Sequence, residues 1–169
     1  MLLRFISFFV FLNLAILSCT HPYKTEEKRT FTSFDFTYSC AVCLSFYSIK
    51  FTQSDTIFLK QYLPRRDNKL YYAVLKKSES KKLDSLLSHV NLGKIDSSYN
   101  NLDIDGDEYQ FYINKDTIAK SVSIHGRDIP KELSDLGIWL KGMKDGLKLS
   151  PIYTVVNFES FKKYGNLRF

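Results

Sequence analysis

The sequence predicts an α+β fold: a mainly antiparallel sheet with two amphipathic helices packed on one face. The 169-residue chain contains 11 Tyr and 14 Phe, which favour pleated, half-buried surfaces. Several segments alternate between polar and apolar residues and are joined by short turns, as in consecutive antiparallel strands. Two further segments have the i, i+3, i+4, i+7 spacing of an amphipathic helix. The predicted order is β-β-β-β-α-β-β-α, with a possible final strand.

The first half of the chain predicts four strands and a helix. Alternation indicates strands at 31–38, 44–51, 56–62 and 70–75, with a turn at 53–55 and a polar loop at 64–69. A helix at 80–90 follows, because apolar residues then recur at helical spacing. Ser78 or Ser80 is expected to cap this helix, and residues 91–93 are expected to end it. The stripe consists of Leu83, Leu86, Leu87 and Val90.

The second half predicts a hairpin, a second helix and a last strand. Residues 108–114 and 117–124 alternate around a tight turn at Lys115 and Asp116. The second helix should begin at Pro130 and end at Gly146. A final strand is indicated at 153–158. The stripe of the second helix consists of Leu133, Leu136, Leu140 and Met143.

Residues 1–18 are typical of an export signal. Arg4 precedes an apolar run from Phe5 to Leu17, which is shorter than the roughly 20 residues of a membrane-spanning helix. The run ends in Ile16-Leu17-Ser18-Cys19, which resembles the lipobox of bacterial lipoproteins, although Leu17 is bulkier than usual there. The resemblance implies that Cys19 is acylated and becomes the new N-terminus. The alternative is an ordinary cleaved signal in which Cys19 has no role.

This interpretation divides the chain into four parts. Residues 1–18 are the lipoprotein signal peptide, and 19–30 are a lipidated flexible tether of polar and charged residues. Residues 31–146 form a single α+β domain, as the length predicts, and 147–169 form a C-terminal extension. Similarity to Gram-negative lipoproteins implies an exported, lipid-anchored protein of the outer membrane, because Thr20 is not the Asp that favours inner-membrane retention.

Most of residues 31–146 is similar to an uncharacterised domain of small Gram-negative lipoproteins. The matching features are Cys40-Ala-Val-Cys43 with Tyr47, the acidic stretch 99–107, the hairpin 108–124 and the segment 130–133. The family has one more residue between its cysteines and a Pro after the second, where this chain has Leu44. The family has no assigned activity, so the resemblance implies a fold and a location.

The pair Cys40 and Cys43 has three possible uses. A thioredoxin-like dithiol needs a helix that starts at the first cysteine, and here a strand pattern follows. Structural zinc needs four ligands, and the only histidines are His21, His89 and His125. In an exported protein a local disulfide is favoured, with two free thiols as the remaining possibility.

The acidic stretch contains Asp103, Asp105 and Asp107 and resembles a calcium loop at first sight. An EF-hand needs Gly at position 6 and Glu at position 12. Counted from Asp103, Gly106 stands at position 4 and Asn114 at position 12. We therefore expect an acidic turn before the hairpin, with a cation site of another kind as the alternative.

Composition and motifs favour a non-catalytic protein. The net charge is +6, but the basic residues are scattered in pairs, so no nucleic-acid partner is predicted. The sequence lacks G-x-S-x-G, H-E-x-x-H and a phosphate-binding glycine loop, so no catalytic residue or cofactor is assigned.

The leading hypothesis is a binding or structural module of the cell envelope, anchored to the membrane through Cys19, with an unknown protein or small-molecule partner. Two alternatives remain. One is an envelope hydrolase with a site around residues 103–107 and His125. The other is a thiol redox protein that uses Cys40 and Cys43.

Overall fold

The computed structural model describes residues 29–63, 69–100, 106–126 and 129–164, which form one eight-stranded sheet and two α-helices. The predicted α+β class is confirmed. The strands are β1 (Ser33–Cys40), β2 (Ser45–Phe51), β3 (Thr56–Leu63), β4 (Leu70–Val74), β5 (Ser98–Asn100), β6 (Glu108–Lys115), β7 (Ile118–His125) and β8 (Ser150–Ile152). The helices are α1 (Lys77–His89) and α2 (Lys131–Asp145), followed by a 3₁₀ helix (Glu159–Tyr164).

The sheet is mainly antiparallel, as predicted. Its spatial order is β5-β7-β6-β1-β2-β3-β4-β8. Only the β5–β7 pair is parallel among the described strands. The hairpins β1–β2, β2–β3, β3–β4 and β6–β7 need only short turns, which is why consecutive strands lie side by side. Strand β1 lies near the middle and pairs with β2 and β6, so both of its edges are hydrogen-bonded.

One face of the sheet is apolar and carries both helices; we call it the helix face. Alternate β1 residues, Phe34 and Phe36, are buried there, and Phe34 stacks on Phe51 with ring centroids 5.1 Å apart. The predicted stripes of α1 and α2 join the same core, so their positions are confirmed. Helix α2 lies very close to β6 at Gly137. A β-carbon added at this glycine would come within 3.3 Å of the Tyr109 ring.

The opposite face is polar, yet its centre is buried beneath the C-terminal 3₁₀ helix; we call it the polar face. Three hydroxyls meet there: the Thr37 Oγ1 atom lies 2.7 Å from Ser48 Oγ and 2.8 Å from Ser160 Oγ. Each hydroxyl can donate one bond and accept another. These hydrogen bonds therefore satisfy the three buried hydroxyl groups, and they attach the 3₁₀ helix to the sheet.

A buried carboxylate completes the polar face. Asp35 has no exposed surface, and its Oδ2 atom accepts a hydrogen bond from the Glu159 backbone N–H at 2.5 Å, at the start of the 3₁₀ helix. Its Oδ1 atom lies 3.1 Å from Lys50 Nζ. Burial raises the pKa of Asp35, and the charge of Lys50 opposes that rise. Asp35 thus links the sheet to the C-terminal segment.

The folded part begins before residue 31, because Arg29 and Thr30, assigned to the tether, are bound to the domain. The Arg29 side chain is 4% exposed and donates to Asp55 Oδ1 at 2.6 Å and Asp84 Oδ2 at 3.0 Å. The Thr30 N–H donates to Asp84 Oδ1 at 3.2 Å. A planar guanidinium can bind two carboxylates at once, so Arg29 joins the β2–β3 turn to α1.

The predicted start of α1 was wrong by three residues. The helix begins at Lys77, and the Lys76 N–H is satisfied by Glu79 Oε2 at 2.7 Å. Ser80 lies inside the helix, and its hydroxyl donates to Asp55 Oδ1 at 2.6 Å. Ser78 also lies within the helix, so neither serine occupies the N-cap position, which is Lys76.

Two predictions near turns and at the C-terminus also need correction. The strand expected at 153–158 is absent; the strand formed is β8, Ser150–Ile152, which pairs with β4. Tyr153 is almost fully exposed, so the alternation there has no sheet to pack on.

The hairpin turn is shifted by one residue: Lys115 pairs with Ile118, and the turn residue Asp116 has φ 56°. Strand β5 was not predicted.

None of the helices in the described ranges is both long and apolar enough to span a membrane.

Candidate functional site

The register of β1 and β6 brings the cysteine pair and the acidic stretch to the same end of the sheet. Ser39 is paired with Glu108, and Tyr38 with Tyr109. The end of β1, the turn 41–44 and the start of β6 therefore meet. Asp107 lies directly before β6 and reaches the helix face, where Tyr38 and Cys40 also point because alternate residues share a face.

Cys40 and Cys43 lie at disulfide-bonding distance, with Cα atoms 5.5 Å apart, so the predicted close cysteine pair is confirmed. The bond closes the turn between β1 and β2. Cys40 is partly buried, whereas Cys43 is exposed, and the Cys43 N–H donates to Cys40 Sγ at 3.1 Å. The chain then enters β2 through Leu44 in the left-handed region, with φ 48°, so the first cysteine ends a strand instead of starting a helix.

Asp107 is the centre of a small polar group that we call the Asp107 cluster: Asp107, Tyr38, Tyr109 and Lys141. The Tyr38 hydroxyl donates to Asp107 Oδ1 at 2.6 Å. The Tyr109 hydroxyl at 3.1 Å and Lys141 Nζ at 2.6 Å both donate to Oδ2. Strands β1 and β6 and helix α2 thus each supply a donor, and both carboxylate oxygens are engaged.

These contacts fix the charge of each member. Burial acts to raise the pKa of Asp107, but the hydrogen bonds from Lys141, Tyr38 and Tyr109 outweigh it and hold that pKa below its usual value. Burial, and then Asp107, raise the pKa of Tyr38, and the same causes raise the pKa of Tyr109 to about 12. Burial acts to lower the pKa of Lys141, but the bond to Asp107 raises it overall. At neutral pH the cluster is a carboxylate–ammonium pair with two neutral phenols.

Aromatic rings surround the cluster. The Tyr38 ring lies 5.3 Å from that of Tyr47 and 5.6 Å from that of Tyr109, between ring centroids. Lys141 Nζ is 4.8 Å from the centroid of Tyr38, and Lys144 Nζ is 5.0 Å from that of Tyr47. Cations over aromatic faces are attracted by the ring quadrupole, so α2 is held to the sheet by charge as well as by its apolar stripe.

The structure brings together only some of the residues singled out from the sequence. It joins Cys40, Cys43 and Asp107, whose ligand atoms all lie within 4.8 Å of one another. Asp103 and Asp105, as well as the lipobox residues 16–19, lie outside the described residues.

The structure separates Asp107 from His125, the pair considered for a hydrolase. His125 is paired with Glu108, and paired residues share a face whereas neighbours along a strand alternate. His125 therefore lies on the side of the sheet opposite Asp107. Asp128, near the same histidine in sequence, lies outside the described residues. The described residues thus do not assemble that constellation.

Sequence reasoning missed Tyr38, Tyr109 and Lys141. One signal was present: Gly137 and Lys141 are four residues apart and share a side of the helix. A small residue that lets a helix approach a sheet, followed one turn later by Lys, places the ammonium group over that sheet. Its partner could not be read from the sequence, because Asp107 is 34 residues from Lys141.

Comparison of the chain with models of known protein families gives no match, and comparison with curated proteins gives none. The lipoprotein family and its uncharacterised domain therefore stay predictions. The close cysteine pair and the α+β fold are what the structure establishes.

Proposed function

We propose that this chain is an exported lipoprotein, held to a membrane through acylated Cys19, and that its domain is a non-catalytic binding or structural module. The observation that supports the non-catalytic role is the charge and hydrogen bonding of the Asp107 cluster. A general acid or base works best with a pKa near the working pH. Asp107 and Lys141 are instead held charged and Tyr38 and Tyr109 neutral, each already hydrogen-bonded to another member. Such a cluster braces the end of the sheet.

Two observations support export and anchoring. The apolar run before Ile16-Leu17-Ser18-Cys19 has the form of an export signal, and a disulfide at Cys40 and Cys43 suits an oxidising compartment. Two or more acyl chains, each contributing about 0.8 kcal/mol per buried CH₂, hold a protein stably on a membrane. We place the protein on the outer membrane because residue 20 is Thr and not the Asp that favours inner-membrane retention in the Gram-negative lipoproteins that the chain resembles.

The anchor would keep the domain close to the bilayer. Arg29 is fixed to the domain by Asp55 and Asp84, so the tether is limited to residues 19–28. Fully extended, a segment of that length spans at most about 35 Å. Partners of the domain are therefore expected within the envelope layer next to the membrane.

We place the partner, a protein or a small molecule, at the β1–β2 turn. Val42 and Leu44 are 84% and 62% exposed there, in the turn that is closed by the cysteine pair. Apolar side chains that are exposed close together form a patch of the kind that marks interaction sites. Here the cysteine pair and the Asp107 cluster supply rigidity.

Metabolic labelling with a clickable fatty acid tests the anchor. We expect label on the wild type and on a Cys40→Ala control, and none on Cys19→Ala. Equal labelling of the wild type and Cys19→Ala would refute the anchor.

Site-specific photocrosslinking in cells tests the contact surface. A photoreactive residue at Val42 should crosslink to a partner, whereas one at Ile118, exposed at the opposite end of the sheet, should not. Equal crosslinking at both positions would contradict the assignment. Turnover of ester or glycoside substrates that is lost in Asp107→Asn would contradict the non-catalytic role.

A further inference from the structure

We propose that Cys40, Cys43 and Asp107 form a redox-gated site for a divalent cation of the zinc type. The site is closed while the disulfide is intact and opens when an external dithiol reduces it. This goes beyond the proposed function and is independent of Cys19.

Geometry supports the site. The two Sγ atoms and a carboxylate oxygen of Asp107 lie within 4.8 Å of one another. In tetrahedral zinc sites, ligand atoms about 2.0–2.3 Å from the ion are separated by roughly 3.3–3.8 Å. Only a small movement is therefore needed once the sulfurs separate. The C-x-x-C spacing in a turn is typical of a zinc half-site, and the exposure of Cys43 leaves a fourth position for water.

Charge balance also supports it. Two thiolates and the Asp107 carboxylate carry three negative charges, and a divalent cation supplies two positive charges. Lys141, whose Nζ lies 2.6 Å from Asp107 Oδ2, supplies the third. The bound site would therefore be neutral as a whole. Asp107 Oδ1 accepts only the Tyr38 bond among the described residues, which leaves it a lone pair for the metal.

Donors for the ligands are already in place. The Cys43 N–H points at Cys40 Sγ at 3.1 Å. The Tyr38 hydroxyl has one proton and donates it to Asp107 at 2.6 Å, which orients that carboxylate. Hydrogen bonds of this kind stabilise ligand charge and fix ligand direction around a metal.

Opening the site is an ordinary thiol–disulfide exchange. A thiolate of the dithiol attacks Cys43 Sγ, the exposed sulfur, and forms a mixed disulfide, while Cys40 leaves as a thiolate that accepts the Cys43 N–H. The second thiolate of the dithiol then attacks the dithiol sulfur that is bonded to Cys43, and Cys43 is released as a thiolate. The dithiol loses two electrons and becomes a disulfide, its two protons pass to solvent or to the cysteines, and metal binding returns any proton on sulfur to solvent.

Cobalt(II) serves as the spectroscopic probe for the test. Full-length protein in detergent is reduced with dithiothreitol, freed of reductant by gel filtration without oxygen, and titrated with CoCl₂. We expect one cobalt per chain with a sulfur-to-cobalt charge-transfer band, bleached by zinc, and no band in the oxidised protein. That comparison needs no variant, so it does not depend on how any variant folds.

Variants then identify the ligands. Cys43→Ser should lose high-affinity binding, and Asp107→Asn should weaken it by at least the roughly tenfold that loss of a metal ligand's partner costs. Asp135→Asn, which removes an exposed carboxylate from α2, should leave the affinity unchanged. The proposal is overturned if the reduced protein shows no charge-transfer band, if one cobalt joins two chains, or if Asp107→Asn binds as the wild type does.

Discussion

Tyr47→Phe should stabilise the protein, although it removes a polar group from the most aromatic part of the core. The Tyr47 side chain is 1% exposed, and its hydroxyl has no hydrogen-bond partner among the described residues. A buried polar group without a partner costs about 1–3 kcal/mol. Removing one oxygen leaves a void of roughly 10 Å³, which costs only about 0.2 kcal/mol. The free energy of unfolding should therefore rise by about 1–2 kcal/mol.

Tyr38→Phe is the matched control, because the two rings lie 5.3 Å apart in the same core. The Tyr38 hydroxyl donates to the charged Asp107 at 2.6 Å, and a bond to a charged group contributes about 1.5–3 kcal/mol. The same chemical change, loss of one phenolic oxygen, should therefore have opposite signs at the two positions.

Urea unfolding followed by the fluorescence of Trp139, the single tryptophan, measures both effects. Trp139 packs against the core, so its emission reports on the fold. We expect the midpoint to rise by roughly 0.5–1 M for Tyr47→Phe and to fall for Tyr38→Phe. A loss of more than about 1 kcal/mol in Tyr47→Phe would show that its hydroxyl has a partner and would refute the reasoning.

Four further predictions concern charge and the disulfide. Burial raises the pKa of Asp35 above its ordinary value of 3.8, so the free energy of unfolding should increase as the pH falls from that raised native pKa toward about 4; urea titrations of Asp35→Asn across this range should lack the increase. The pKa of Asp107 is lowered, so its stabilisation is present above about pH 4 and is lost as the pH falls through the native pKa; Asp107→Asn should abolish that acid-side loss, and an unchanged pH profile would contradict the cluster. Arg29→Met should cost about 3 kcal/mol in urea unfolding, because it leaves two carboxylates without their buried cation, and Arg29→Lys should recover only part; full recovery would mean that the forked geometry is unimportant. Reduction of Cys40–Cys43 should lower the free energy of unfolding by only about 2 kcal/mol, since the closed loop is short; unfolding on reduction alone would contradict this.

Most of the fold could be predicted because its signals are local. Phe34 and Phe36 alternate with polar residues, and Leu133, Leu136 and Leu140 recur at helical spacing, so each element's type follows from its own period. Strand β5 has three residues, too few for a period, and it depends on pairing with β7. The C-terminal strand was misplaced because alternation cannot show which segment meets the free edge of β4.

The polar face and the candidate site depend on contacts between distant segments. Alternation assigns Thr37 to a polar face, which in an antiparallel sheet is commonly solvated, but Ser160, 123 residues away, covers it. The C-x-x-C spacing identified the cysteine pair, whereas the partnership with Asp107 follows only from the β1–β6 register.

The two outermost strands of the described sheet have a consequence for copies of the domain held on a membrane by the anchor that we propose. Molecules confined to a surface meet their neighbours at high effective concentration, and an open sheet edge is a template for chain-to-chain polymerisation. Here β5 and β8 offer three residues each, and β8 includes Pro151, which has no N–H to donate. An incoming strand would find too few backbone bonds at β8 to offset the entropy of ordering it. Copies of this domain held close together by the proposed anchor would thus not join their sheets through β8.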